Sequence, residues 1–175
     1  MNIQFATDEY NQALRAGQKE FRELSAAGQP THPAVLDELL PENGAHTVVD
    51  VGLIEIPSER IIGTKSAGRI AAFTPSFHPL LDPKSEFAAK WINLCAAHLG
   101  ETGITDPIVC YEYLGNFYVQ EGNKRVSVLR CFGAPRIPGQ VRRVMPAPSE
   151  DPRIRAYYEF LDFYKVSHLY TIQFR

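Results

Sequence analysis

Residues 117 to 133 read FYVQEGNKRVSVLRCFG, and within that stretch the chain changes its period. Phe117 to Gln120 has the aromatic and β-branched content of a strand. Glu121-Gly122 interrupts it. From Asn123 onward Val126, Leu129 and Phe132 recur at helical spacing, and Gly133 supplies the stop. A strand that turns through one glycine into a helix commits this part of the chain to helix packed on sheet. Lys124 and Arg125 then fall in the first helical turn, at the positive end of the dipole, where two cations cost a few tenths to about 1 kcal/mol. The same turn leaves backbone N–H groups without intrahelical partners, which together with the dipole make an anion site. A phosphate bound there would turn the cost into a clamp, Arg125 offering a fork and Lys124 a point charge. Between Gly122 and Ser149 there are six basic residues (Lys124, Arg125, Arg130, Arg136, Arg142, Arg143) and no acidic one. A plainer account stands beside this one: Glu121 pairs with Lys124 or Arg125, and the arginines form a solvated face.

Elsewhere the pattern alternates between helix and strand. Residues 7 to 27 read as an amphipathic helix capped by Thr7, with Tyr10, Leu14, Phe21 and Leu24 on one face and Gly28 ending it. A short helix carrying Val35, Leu36, Leu39 and Leu40 follows Pro33, and Pro41 to His46 is a loop. This first section, 1–46, reads as a helical extension that packs on the domain proper. TVVDVGLIEI, from Thr47 to Ile56, is a strand. Residues 57–81 show no sustained period and many glycines, prolines and small side chains, a length of irregular chain that is more often functional than idle. Asp82-Pro83 has the form of a cap followed by proline and should open a helix with Phe87, Trp91, Ile92, Cys95 and Leu99 inward. Pro107 to Tyr113 and Phe117 to Gln120 form a hairpin around Gly115-Asn116, and Ile137 to Met145 is a further strand. Asp151-Pro152 repeats the cap signal ahead of a helix bearing Ile154, Tyr157, Tyr158 and Leu161. The end, HLYTIQFR, alternates like a strand, as an edge strand or the start of a longer chain would.

The totals set bounds. A chain of 175 residues is one domain with some embellishment, and ten Phe, eight Tyr and one Trp suffice for a core. The net charge of −2 argues against a surface built wholly for nucleic acid. Three cysteines without a CxxC pair do not make a disulfide framework or a cysteine-rich zinc site, which points to a reducing cytoplasm. The N-terminus lacks the basic head and apolar core of a signal peptide, and no apolar run reaches the roughly 20 residues of a membrane span.

GNFYVQEGNKRVSVLRCFGAPRIPGQVRRV resembles the core of the ParB/sulfiredoxin superfamily, in which a strand, a glycine-containing basic motif at a helix start and a following strand recur. The helix from Pro83 to Leu99 followed by GITDPIVCYEY is similar to the section preceding that motif. The resemblance covers about residues 47–145, leaving 146–175 as a C-terminal helix and strand. It implies a small α/β (α+β) domain with a mixed sheet and packed helices, whose motif turn grips the phosphates of a nucleotide. In the ParB branch the motif Gly-Glu-Arg-Arg serves CTP binding and hydrolysis with Mg²⁺. The matching residues here are Gly122, Asn123, Lys124 and Arg125, so Asn123 replaces the acidic residue. In sulfiredoxins a nucleophilic cysteine stands where Asn123 is, so repair of sulfinic acid is not implied. A third branch, the free serine kinases, pairs the phosphate turn with a carboxylate base, a part Glu121 could take.

GTKSAGR, Gly63 to Arg69, has the glycine spacing of a P-loop, but Arg69 replaces its lysine and Ile70 its metal-binding hydroxyl. The resemblance instead implies a loop after the first strand that carries Lys65, Ser66 and Arg69 toward the nucleotide; an ordinary exposed loop is the alternative. The five histidines have no metal-ligand spacing, so no protein-only metal site is read, and Mg²⁺ would arrive with a nucleotide. His78, in the irregular stretch, is the acid/base candidate, and Asp106 and Glu112 could line the same cleft. Cys110 and Cys131 read as buried thiols. Tyr157, Tyr158, Phe160, Phe163 and Tyr164 have the spacing of core or interface rather than of base-stacking platforms. The expected partner is a nucleotide or other phosphorylated small molecule, with turnover by nucleotide hydrolysis or phosphoryl transfer left open. Two other readings remain. One is a nucleic-acid module using the basic stretch 122–149. The other is an interaction domain whose aromatic C-terminal helix and strand dock another subunit, a homodimer included.

Overall fold

Ile108, Cys110 and Glu112 are buried while Val109, Tyr111 and Tyr113 between them are half-buried, the period of two that a pleated strand imposes. In the computed structural model, which describes residues 2–41 and 45–167 (side chains of 164–167 excepted), this strand lies near the middle of a six-stranded mixed sheet. The strands are β1 (Ala34–Val35), β2 (His46–Pro57), β3 (Ile61–Thr64), β4 (Ile108–Tyr113), β5 (Asn116–Glu121) and β6 (Arg136–Pro146). Their order is β1-β3-β5-β4-β6-β2. β1 and β3, β3 and β5, and β4 and β6 pair parallel; β4 and β5, and β2 and β6, pair antiparallel. With α1 (Asn2–Ala26), α2 (Leu36–Leu39), α3 (Glu86–His98), α4 (Asn123–Cys131) and α5 (Pro152–Ser167), the chain has the α/β class expected from its sequence.

The main core lies where sheet, α4 and the irregular 57–81 stretch meet, around Ile56, Phe73, Phe77, Val119, Val126 and Val141. A second apolar cluster joins α1, α3 and α4. Tyr10 of α1 meets Trp91 of α3 edge to face at 5.2 Å, an arrangement that aromatic quadrupoles favour. Their polar ends are satisfied as burial demands: the Tyr10 hydroxyl donates to the Leu81 carbonyl at 2.6 Å and Trp91 Nε1 to Ser127 Oγ of α4 at 2.9 Å. Gly17 lets α1 approach the 78–79 segment, since a Cβ there would stand 2.4 Å from the Pro79 carbonyl oxygen. The N-terminal section thus contributes α1 to a helical layer and β1 to the edge of the sheet.

Several local expectations need correction, among them Val35, which lies in β1 and precedes α2 rather than belonging to the short helix. α1 starts at Asn2, and Thr7 is an interior residue whose hydroxyl donates to the Ile3 carbonyl at 2.7 Å rather than a cap. α3 starts at Glu86 with Ser85 as its cap, accepting from Ala88 N at 3.1 Å. Asp82 instead closes a preceding turn by accepting from Lys84 N at 2.7 Å. Within 57–81 the chain forms β3 and two 3₁₀ turns, Ser58–Arg60 and Ala67–Ala72. The strand expected for 168–175, residues 42–44 of the expected loop, and the side chain of Tyr164 lie outside the described residues. Among the described residues no helix is long and apolar enough to cross a membrane.

Candidate functional site

β3 and β5 run parallel, so the segments that leave their C-terminal ends emerge at the same end of the sheet, where open α/β sheets place ligands. From β3 comes the 3₁₀ turn Ala67–Ala72 carrying Arg69; from β5 come Glu121, Gly122 and the first turn of α4. Gly122 has φ of +102°, and a Cβ there would lie 2.7 Å from Cγ2 of Ile108. Only glycine fits this turn. It brings the chain into α4 with no side-chain cap and no acidic residue in the first turn, so the leading N–H groups face outward.

These elements and α3 enclose a cavity of about 650 Å³, within the range of small-molecule sites. Its apolar wall includes Phe73, Leu81, Phe87 and Leu94. Its charged lining comprises four cations, Arg69, Lys90, Lys124 and Arg125, against two carboxylates, Glu86 and Glu121. Lys90 is paired with Glu86 at 2.7 Å along α3. Arg125 Nη1 donates to the carbonyls of Asp106 at 3.1 Å and Pro107 at 2.8 Å, which fixes its side chain while leaving its charge unneutralised. Lys124 has no ion-pair partner among the described residues, and its Nζ stands 5.3 Å from the centre of the Phe87 ring. Burial lowers the pKa of Lys124 below the ordinary lysine value, and the nearby Arg69 and Lys90 lower it further, with Glu86 pulling the other way. Asn123 Oδ1 at the same helix start is buried without a hydrogen-bond partner. The result is a cavity with surplus positive charge, an aromatic wall and unpaired donors at one end, which can hold an anion attached to an apolar or flat group.

Of the residues singled out from the sequence, the structure brings together Glu121, Gly122, Asn123, Lys124, Arg125 and Arg69. Lys65 and Ser66 are not in the lining. Lys65 pairs with Asp37 of α2 and lies 5.5 Å from the ring centre of Tyr111, on the face of the sheet opposite Ile108 and Cys110. His78 lies at the other end of α4, beside Arg130 and Cys131. Its Nδ1 donates to Glu20 Oε1 at 2.8 Å, and Thr74 Oγ1 and Ser76 N also donate to that carboxylate. Burial raises the Glu20 pKa, but these three donors outweigh it and the net shift is downward. Asp106 contributes only its carbonyl, and Glu112 is buried elsewhere under Tyr157 and Arg143.

The basic stretch does not present one continuous face. Arg130 Nη1 donates to the Ile61 carbonyl at 2.8 Å and Arg143 Nε to Glu112 Oε2 at 3.1 Å, so with Arg125 three of its six cations are engaged internally. Cys95 and Cys110 are buried, Cys131 is half-buried, and all three are free thiols. Burial pushes Cys110 and Cys131 up to about 12 and Cys95 to about 11, which makes them packing residues rather than nucleophiles.

Sequence reading missed Glu86, Lys90 and Phe87 as parts of the site. Glu86 and Lys90 do form an i,i+4 pair on a helix, a signal usually assigned to a solvated face. What places them here is the packing of α3 on α4. No group of three or more histidine, cysteine or acidic side chains among the described residues could hold a metal. No family model, curated protein or solved structure matches this chain.

Proposed function

We propose that this chain is a ParB/sulfiredoxin-like domain that binds a nucleotide or another phosphorylated ligand in the cavity at the start of α4. The observation that carries the reading is the surplus of cations around one cavity, with Lys124 unpaired beside the uncapped helix start. In an empty site Arg69, Lys90 and Lys124 repel one another; a phosphate dianion relieves that repulsion and accepts from the free N–H groups. Backbone N–H groups of the first turn take phosphate oxygens, Lys124 and Arg69 supply charge, and Arg125 holds the turn against the 106–107 segment. The Phe73 and Phe87 side gives an apolar or flat group a surface to rest on. Glu121 and Glu86 are the carboxylates on the lining, enough for Mg²⁺ that arrives on phosphate groups. If nucleotide hydrolysis or phosphoryl transfer occurs, Glu121 is the residue on this cavity to orient the attacking hydroxyl or water and take its proton. Three high-pKa, unpaired thiols suit a reducing compartment such as the cytoplasm.

Thermal-shift titration with ATP, CTP and GTP, each with and without Mg²⁺, tests this reading. A ligand at 100 times its dissociation constant adds roughly 2.7 kcal/mol to the folded state. The shift should disappear in the Lys124→Gln, Arg69→Gln double variant, which leaves the Arg125 anchor in place. No shift with any nucleotide or with pyrophosphate would overturn it and turn attention to nucleic-acid or protein partners.

A further inference from the structure

The cavity also has a feature that phosphate binding alone does not use. Lys124 combines an amine that is half-buried and without an ion-pair partner among the described residues with neighbouring cations on two other elements. Those are the surroundings that make a lysine nucleophilic, because they favour the neutral amine with its free lone pair. Resting on the anion-binding reading above, we propose that Lys124 is a nucleophilic amine whose ligand class is a small aldehyde or ketone bearing a phosphate.

The charged groups around Lys124 divide by element. Arg69 on the 3₁₀ turn after β3 and Lys90 on α3 oppose its protonation; Glu86 on α3 favours it but is committed to Lys90 at 2.7 Å. Arg125, next on α4, is turned away to the 106–107 carbonyls, and Glu121 at the end of β5 is exposed on the lining. The downward shift of the Lys124 pKa by burial and by Arg69 and Lys90 agrees with this geometry. Phosphate held by Arg69 and the α4 N–H groups would place a carbonyl carbon within the same cavity as the amine. The nitrogen lone pair then attacks that carbon and the C–O π electrons move to oxygen. The two protons of the amine pass to the oxygen, which departs as water and leaves a C=N bond to Nζ. No oxidant or reductant takes part, and water reverses the step.

The probe is pyridoxal 5′-phosphate, trapped by sodium cyanoborohydride on the intact protein and located by peptide mass spectrometry. The chain has six lysines, Lys19, Lys65, Lys84, Lys90, Lys124 and Lys165, which serve as internal controls. Labelling of Lys124 should exceed that of any other lysine, and labelling by phosphate-free pyridoxal, by at least about 10-fold, the factor that 1.4 kcal/mol of selective binding gives. Arg69→Gln should remove most of that advantage. Lys124→Arg should abolish the label at that position without raising the labelling of the other five lysines. Even labelling across the lysines, labelling centred on Lys90, or equal labelling by both aldehydes would overturn the proposal. Pyrophosphate binding without selective Lys124 labelling overturns only the nucleophile; absence of pyrophosphate binding overturns the anion site and the nucleophile with it.

Discussion

Glu112 of β4 and Lys124 of α4 are both ionisable side chains drawn into the protein, yet their surroundings differ in kind. Glu112 is 5% exposed and accepts from the Tyr157 hydroxyl, from Arg143 Nε at 3.1 Å and from Gly115 N at 3.1 Å. Its partners come from β6, the hairpin turn and α5, so one carboxylate ties together three parts of the chain. Lys124 is only half-buried, faces a cavity, and has like charges for neighbours. A satisfied buried charge fixes structure, and its loss leaves other groups stranded. An unsatisfied charge beside empty volume contributes nothing to the folded state alone and becomes favourable only with a partner from outside. Local satisfaction, more than burial, separates the two roles.

The sharpest way to break this contrast is removal of Glu112. Glu112→Ala leaves Arg143 and Tyr157 without their acceptor and should cost about 3–5 kcal/mol, lowering the melting temperature on the order of 10 °C for a chain of this size. A neutral result in denaturant unfolding would mean the cluster is not the tie described. Next in size is the Lys124→Gln, Arg69→Gln pair, which should weaken pyrophosphate binding by about 100-fold, or roughly 3 kcal/mol, two charged hydrogen-bonding groups at roughly 1.5 kcal/mol each. The same variant should be as stable as the parent or a few tenths of a kcal/mol more so, since it relieves repulsion at a helix start. A large stability loss there would make Lys124 structural after all. Gly122→Ala comes third. Its positive φ and the 2.7 Å approach to Ile108 should cost roughly 1–3 kcal/mol in unfolding experiments and weaken anion binding together with it.

The smallest effect is one of pH, and Glu20 and Glu112 should show it with opposite signs. The Glu20 pKa is depressed in the fold, so its contribution is present above the unfolded carboxylate value and disappears as pH falls through the lower folded one. Burial raises the Glu112 pKa despite Arg143 and Tyr157, so its ionised form carries a cost that acidification through the raised value removes. The stability gap between the parent and Glu20→Gln should therefore shrink as pH falls from 7 through the lowered Glu20 value, by roughly 0.5–1 kcal/mol, a typical net hydrogen bond discounted for the partial exposure of Glu20. A gap that stays constant would show that His78, Thr74 and Ser76 do not depend on the Glu20 charge.

The same contrast explains what could be read from the sequence. β2, the β4–β5 hairpin and α4 each carry their period over several residues, and Gly133 marks its stop in the left-handed region. The turn at Gly122 was legible because strand, glycine, helix and two cations at the helix start adjoin in the chain. β3 was not, because Ile61–Thr64 is four residues long and owes its strand state to pairing with β5 and β1. β1, with two residues, offers no period at all. Asp82 and Ser85 both suit a cap locally, and choosing between them needs the path of the chain before α3. Glu86, Lys90 and the Glu112 cluster depend on contacts between distant segments, which no single window of sequence contains.

The pairing of β2 with β6 has a consequence during synthesis. Among the described residues, 46–57 find their only strand partner in residues 136–146, with His46 opposite Pro146. At about 5–20 residues per second, a ribosome needs roughly 5–20 s to deliver the intervening chain. For that interval Val48, Val49 and Leu53, which stay exposed even in the finished fold, sit on a twelve-residue strand with both edges open. The nascent chain is thus most vulnerable to association at residues 46–57, and a holdase acting before residue 146 emerges should raise the yield of folded protein more than one supplied after that point.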